Sequence, residues 1–343
     1  MTSVKGKVKG TAAVRGWFAL AEESLQTHSV RLNRLNVFPV PDSDTGANML
    51  ASVRACRRAA DLARSEDIGE LISLAGAEAM SEACGNSGTL LAVLISGFAE
   101  PLRGTKRLTV GGLSQGLDRA SLRAWSALSQ PVAGTMLSVL DAVRDQVRSS
   151  AAEAAEPDSR AALEDAMDPL VTTAREALEA TEHQLAPLTE ARVVDSGGLG
   201  LLLVFDALRA TISGTELDSS LLEGLSGWDA AARQPAPASS SNRDPAGVEL
   251  MCTARLDPLG AASVRHQLDE LGDSVIITPI GPGSDAAEDG TYRWRIHVHT
   301  AESEATLRAV RSSGVLESST LTPLPSAATG SSADSGPCAG SAA

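Results

Sequence analysis

The sequence predicts two architectures in series, an all-α unit followed by a small α/β unit. Three observations carry this expectation. Apolar residues recur at helical spacing almost without a break from about Ala12 to Ser213, and no convincing strand interrupts them. From Asp229 to Ala246 the chain is dominated by Ala, Pro, Ser and Arg, too poor in apolar side chains to bury a surface. Beyond that stretch the period falls to two. Tyr292, Trp294, Ile296 and Val298 fall on one side of a strand, and Arg293, Arg295, His297 and His299 on the other.

Turn signals at Pro41, Gly85, Gly111, Gly134, Pro157 and Gly197 divide the first span into roughly eight helices and bound a unit over 10–214. Within it, Ser149 to Glu164 is rich in Ala, Glu and Asp and reads as an exposed connector. Residues 229–246 read as a flexible linker. The α/β unit over 247–315 then has strands at Val248–Leu256, Ser274–Thr278 and Tyr292–His299, with helices at about Ala261–Leu271 and Glu302–Arg311. Residues 316–343 fade into Ser, Ala, Gly, Thr and Pro, the composition of a disordered tail.

Composition narrows the function. A chain of 343 residues with 43% hydrophobic content supports about two domains with sizeable cores. A net charge of -14 argues against a nucleic-acid partner, whose affinity comes from clustered Lys and Arg. No apolar run near the N-terminus suits a signal peptide, and no later segment is expected to span a bilayer, so the expected compartment is the cytoplasm. Cys56, Cys84, Cys252 and Cys338 lack the spacing of a disulfide framework, which fits a reducing environment.

The most informative stretch is Asn36-Val37-Phe38-Pro39-Val40-Pro41-Asp42-Ser43-Asp44-Thr45-Gly46-Ala47-Asn48-Met49. Pro39 and Pro41 stiffen the approach, so Asp42 and Asp44 project from a fixed turn directly before a helix. Two carboxylates that close repel one another unless a cation sits between them, and a hard divalent ion fits. The helix opened by Thr45, Gly46 and Asn48 offers free N–H groups to a phosphate. The alternative is structural: Asp44 caps the helix and Asp42 belongs to a Pro-Asp turn. Gly85-Asn86-Ser87-Gly88 and Asp195-Ser196-Gly197-Gly198 repeat the pattern, each setting small residues at the start of an apolar helix. Three such turns in one unit suggest helix ends converging on one anionic ligand.

In this order and spacing the three motifs resemble the nucleotide-binding L-type (DhaL-like) domain of dihydroxyacetone kinases, and more closely the catalytic subunit of bacterial fatty acid kinases (FakA-like). Pro131-Val132-Ala133-Gly134-Thr135-Met136-Leu137 is similar to that family as well, so the resemblance covers roughly 10–214. It implies an α-helical barrel with ATP at one end. Asp42 and Asp44, with Asn36, would hold Mg²⁺ against the phosphates, and Thr45, Gly46, Asn48, Gly85, Asn86, Ser87, Gly88, Gly134, Thr135, Asp195, Ser196, Gly197 and Gly198 would bind the nucleotide. It also implies γ-phosphoryl transfer from ATP to a fatty acyl carboxylate presented by a partner protein, with ADP as product. A carboxylate acceptor is already anionic and needs no general base, and no evident base stands near the first motif.

His297 and His299 at i, i+2 share a strand face and could grip one metal ion, with Cys252 adding a thiolate from a neighbouring strand. The other reading is a solvated polar strip. The resemblance extends to the middle domain of fatty acid kinase subunits, where a Cys and a His-x-His bind zinc, and so implies Zn²⁺ here. His28, His183 and His266 read as solvated. The family also implies a further C-terminal domain that engages the acyl carrier, where this chain has its Ser- and Ala-rich tail. A second copy of the chain is a further expected partner.

Three departures from the family pattern bear on activity. Ser43 stands where Gly is usual, at a cost of about 1 kcal/mol if that position needs positive φ. Ala47 replaces a Thr and removes a hydroxyl from the phosphate site. Cys84 replaces an Arg, and losing a cation beside a transferring phosphoryl group can slow the reaction by orders of magnitude. Three alternatives therefore stand beside the fatty acid kinase: a nucleotide-binding regulator or scaffold with little turnover, a glycerone (dihydroxyacetone) kinase, and a truncated copy of a longer kinase.

Overall fold

A computed structural model describes residues 9–233, 247–281, 287 and 289–324. The helical unit is built on eight long helices: α1 Gly10–Leu35, α2 Thr45–Leu62, α3 Ile68–Glu82, α4 Gly85–Ala99, α5 Val110–Ala127, α6 Met136–Glu153, α8 Met167–Gln184 and α10 Ser196–Ser213. Two six-residue helices, α7 Arg160–Asp165 and α9 Ala186–Ala191, lie between them. Each long helix packs on the next, and α10 returns to α1, so the eight close into a ring.

The ring places its most apolar helices innermost. In α10 every residue from Ser196 to Ile212 is buried, because Leu199, Leu201, Leu202, Leu203, Val204 and Phe205 leave no polar face. Its two charged residues pair with each other, Arg209 Nη2 lying 2.6 Å from an Asp206 carboxylate oxygen. This 18-residue helix has a mean hydropathy of 1.3, enough by length and composition to cross a membrane. In the fold 94% of it is buried against other helices.

Past α10 the chain turns at Gly214 (φ 71°) and folds back. Leu221, Leu222, Leu225 and Trp228 join the same core, and α11 spans Trp228–Arg233. The reading of 229–246 as linker therefore fails at its first five residues, since Trp228 and Ala231 anchor that turn of helix; 234–246 lie outside the described residues. His28 is also corrected. It is half-buried, its ring edge-on to Trp228 at 5.4 Å, and burial, then the nearby Arg31, pulls its pKa down. His183 and His266 are exposed as expected.

The second unit runs β1 Val248–Leu256, α12 Pro258–Leu271, β2 Gly272–Pro279, β3 Tyr292–Thr300, α13 Ser303–Ser313 and β4 Val315–Pro323. Its antiparallel sheet has the order β2-β3-β1-β4, the split β-α-β arrangement. Both helices cover one face, where Leu250, Cys252, Ala254, Ile296 and Val298 meet Val264, Leu268 and Val310. β4 corrects the tail reading. Residues 315–323 pair with β1 along their length although their side chains are largely exposed, and 325–343 lie outside the described residues. The other sheet face, expected to be either a metal site or a solvated strip, turns toward the helical unit.

Candidate functional site

Asp42 and Asp44 stand at the entrance to α2. Asp44 occupies the N-cap position yet makes no side-chain cap hydrogen bond. The amides of Gly46 and Ala47 donate instead to Asn33 Oδ1 of α1, at 2.7 and 3.1 Å. Asn33 thus takes the cap, which frees the Asp44 carboxylate, and the capping alternative does not hold. Asn36, buried, donates from Nδ2 to Asp42 Oδ1 at 2.5 Å, so it acts here as a donor that fixes Asp42. Burial, and then the charge of adjacent Asp44, pushes the Asp42 pKa up to about 8. Two carboxylates held this close with no basic partner between them match a divalent cation in charge and donor type.

The motifs meet around this pair. Ser196 Oγ at the start of α10 donates to Thr45 Oγ1 at 3.1 Å, joining the first motif to the third. Asn48 joins the first to the second. Gly85 (φ 61°) comes so close that a Cβ there would sit 2.0 Å from Asn48 Nδ2, an atom that is buried without a hydrogen-bond partner. Gly88 packs on the Asn48 carbonyl, and Ser52 Oγ donates to the Gly88 carbonyl at 3.0 Å. Gly46 is needed for packing, since a Cβ there would lie 2.3 Å from the Ser29 carbonyl oxygen.

The helix ends differ in what they leave free. In α2 the first amides go to Asn33. In α10 Asp195 caps through Oδ2, accepting from Gly198 N at 2.6 Å; burial raises its pKa to about 6, against the opposing pull of the Gly198 and Met136 amides. Asp195 thus serves first as a structural cap. The N-cap side chains of α4 and α6, Cys84 and Thr135, make no cap hydrogen bond themselves, the Met136 amide of α6 being held by Asp195, and Gly134 (φ 83°) turns the chain into α6. A cavity of about 370 Å³ opens here, lined by Phe38, Val40, Asn86, Ser87, Thr135, Ser196 and Gly197 of the helical unit. On its far side stand Asp269, Asp273, Ser274 and Val275 of the α/β unit. That volume is within the range of small-molecule sites.

The polar sheet face is wired into the same place. Register pairs Met251 with His297 and Glu249 with His299, whereas Cys252 pairs with Ile296 and sits in the helix-covered core. The trio Cys252, His297 and His299 is therefore not brought together, because Cys252 points through the opposite face. Glu249, buried and overlooked in the sequence, takes its place: the ligand atoms of Glu249, His297 and His299 lie within 4.8 Å of one another. His297 Nδ1 lies 2.9 Å from the Ser274 carbonyl oxygen, and His297 Nε2 lies 3.0 Å from Glu249 Oε1. Burial, then His297, lowers the His299 pKa to about 4, and its Nδ1 is buried without a hydrogen-bond partner. A neutral imidazole with an orphaned nitrogen beside a carboxylate and a second imidazole fits a zinc-type ion.

Glu249 Oε1 also accepts from Gly85 N at 2.7 Å, across the two units. Burial works to raise the Glu249 pKa, but the His297 hydrogen bond and the Gly85 amide hold it below the usual Glu value. Beside it, Arg295 donates to the Ala83 carbonyl at 3.0 Å and to Thr253 Oγ1 at 3.2 Å, so its guanidinium is held next to Cys84. No Lys or Arg is among the described residues lining the cavity.

Comparison with known proteins gives the family context. A family model described as "DAK2 domain" matches residues 39–210. An uncharacterized protein of Staphylococcus epidermidis is 31% identical over 221 residues, covering 64% of this chain and 38% of that protein. An uncharacterized protein of Staphylococcus aureus is 29% identical over the same length with the same coverage. The chain thus spans 38% of the length of these curated relatives. The crystal structure of the dihydroxyacetone kinase from C. freundii in complex with AMP-PNP and Mg²⁺ aligns with a TM-score of 0.45 and 20% identity, over 62% of this chain and 36% of that one.

Proposed function

The chain belongs to the DAK2 domain family, and on that footing we propose that it is a Mg²⁺-dependent kinase that transfers the γ-phosphoryl group of ATP. One observation carries the reading. Two neighbouring carboxylates, Asp42 and Asp44, are relieved of capping by Asn33 and set where three Gly-bearing helix starts meet, just past Phe38, Pro39 and Val40, which line a ligand-sized cavity. Mg²⁺ supplies charge neutralisation of the β- and γ-phosphates when bound. Asp42 and Asp44 would hold it, with Asn36 orienting Asp42 through its amide. The start of α4, at Asn86 and Ser87 beyond the Gly85 amide that Glu249 holds, offers backbone N–H groups and the positive dipole end to phosphate oxygens.

In the reaction an acceptor oxygen bonds to the γ-phosphorus while the bridging oxygen of ADP departs with its electron pair. The acceptor we favour is a fatty acyl carboxylate presented by a partner protein. A carboxylate requires no base to deprotonate it, and among the described residues lining the cavity the groups able to act as a base are Asp195, Asp269 and Asp273, with no histidine. A dihydroxyacetone-type alcohol acceptor would require one. The experiment is transfer of γ-phosphate from labelled ATP in the presence of Mg²⁺, with acyl-loaded carrier proteins and with dihydroxyacetone as separate acceptors. Transfer only to the acyl group supports this reading; transfer only to dihydroxyacetone replaces the acceptor.

One observation favours a second reading, a nucleotide-binding regulator. No Lys or Arg is among the described residues lining the cavity, Cys84 carries no charge to replace one, and Arg295 beside it is engaged by Ala83 and Thr253. Tight binding of ATP without transfer to any acceptor would decide for the regulator. We further propose that Glu249, His297 and His299 hold a Zn²⁺ ion in place of the set built on Cys252. Metal analysis of the purified chain, with His299→Ala as the comparison, should give about one equivalent that the variant loses.

A further inference from the structure

The α/β unit forms one wall of the cavity that the proposed kinase uses for its nucleotide, and both walls carry carboxylates. On the helical side stand the start of α4 at Asn86 and Ser87, Thr135, and Ser196 and Gly197 beside the Asp195 carboxylate. On the α/β side stand Asp269 and Asp273 with Ser274. The α/β wall is fixed to the helical unit through the segment between α5 and α6: Leu128 bridges to Ile276, and Ser129 N donates to the Val275 carbonyl at 3.0 Å. The Ser129 hydroxyl, on a residue that lines the cavity, is buried without a partner. The register of β2 against β3 shifts between Asp273 and Ile276, and Ser274 takes a left-handed conformation (φ 56°). A bulge of this kind re-aims side chains out of a ladder.

We infer that the α/β unit reads the nucleoside end of the nucleotide, with Asp273, supported by Asp269 and Ser274, accepting hydrogen bonds from its sugar hydroxyl or base amino donors. This rests on the kinase reading above. Mg²⁺ on Asp42 and Asp44 would draw the phosphates toward the helical side, so the nucleoside lies toward Asp273. A carboxylate has only acceptor capacity, so it selects the part of the ligand that carries donors. The unit thereby sets which nucleotide enters, a specificity role outside the DAK2-matched segment at 39–210.

The test is calorimetric binding of ATP, 2′-deoxy-ATP, inosine triphosphate and inorganic tripolyphosphate, each with Mg²⁺, to the full chain and to Asp273→Ala and Asp269→Ala. Loss of a hydrogen bond to a charged group should weaken ATP by about tenfold in Asp273→Ala, with tripolyphosphate unchanged. If the donor is the sugar hydroxyl, 2′-deoxy-ATP binds wild type about as weakly as ATP binds the variant; if it is the base amine, inosine triphosphate does. ATP affinity within twofold of wild type in both variants overturns the inference and leaves the kinase reading standing. An equal loss for ATP and tripolyphosphate also overturns it, by showing a general change in the site. A wild-type chain that binds tripolyphosphate but no nucleotide overturns both.

Discussion

Glu249→Ala should uncouple the two units. The Glu249 side chain is only 9% exposed, and its Oε1 serves two buried partners, Gly85 N at 2.7 Å and His297 Nε2 at 3.0 Å. A hydrogen bond to a charged group contributes about 1.5–3 kcal/mol, and deleting this acceptor leaves two buried partners desolvated and unpaired. The alanine variant should therefore lose about 3–4 kcal/mol. Glu249→Gln keeps a carbonyl acceptor for the Gly85 amide and should lose about half as much. Urea denaturation followed by tryptophan fluorescence measures both, since Trp228 and Trp294 report on opposite units. An alanine variant within 1 kcal/mol of wild type would refute the idea that this carboxylate joins the sheet to the second motif.

Two further outcomes follow from single residues. Ser43 sits at φ 60°, a left-handed conformation that costs a residue with a Cβ about 1–2 kcal/mol, so Ser43→Gly should stabilise the chain by about 1 kcal/mol; a lower melting temperature in a thermal scan would contradict this. Asp195 has a folded pKa of about 6, raised by burial above the usual Asp value. Its contribution is therefore fully present below about pH 4 and is lost as pH rises to about 6, by about 3 kcal/mol in all. The stability of Asp195→Asn relative to wild type should improve by that amount between pH 4 and 7, and a pH-independent difference would count against the buried carboxylate.

What the sequence revealed follows from how local the signals were. The eight long helices were legible because each buries a face that recurs every three to four residues, and the motifs because small residues and prolines must sit where chain and ligand come close. β4 was not legible. Glu317, Ser318, Ser319, Thr320 and Thr322 make an exposed edge strand whose order comes from pairing with β1, while its composition matches a tail. The face of Cys252 depended on the register of β1 against β3, and a one-residue difference in register sends a side chain through the sheet. Glu249 carried a faint signal, an acid between Val248 and Leu250 in an apolar strand, which only a partner from elsewhere could satisfy. Asn33 gave none, since its partner amides lie 13 and 14 residues away on the next helix.

The most direct test of the central claim is ATP binding by the full chain with and without Mg²⁺, for wild type and for Asp42→Asn/Asp44→Asn. Binding should require Mg²⁺ in the wild type and fall at least about a hundredfold in the double variant, which keeps the shape of the turn and removes its charge. Equal ATP affinity in the two proteins, or wild-type binding indifferent to Mg²⁺, would contradict a cation held by Asp42 and Asp44.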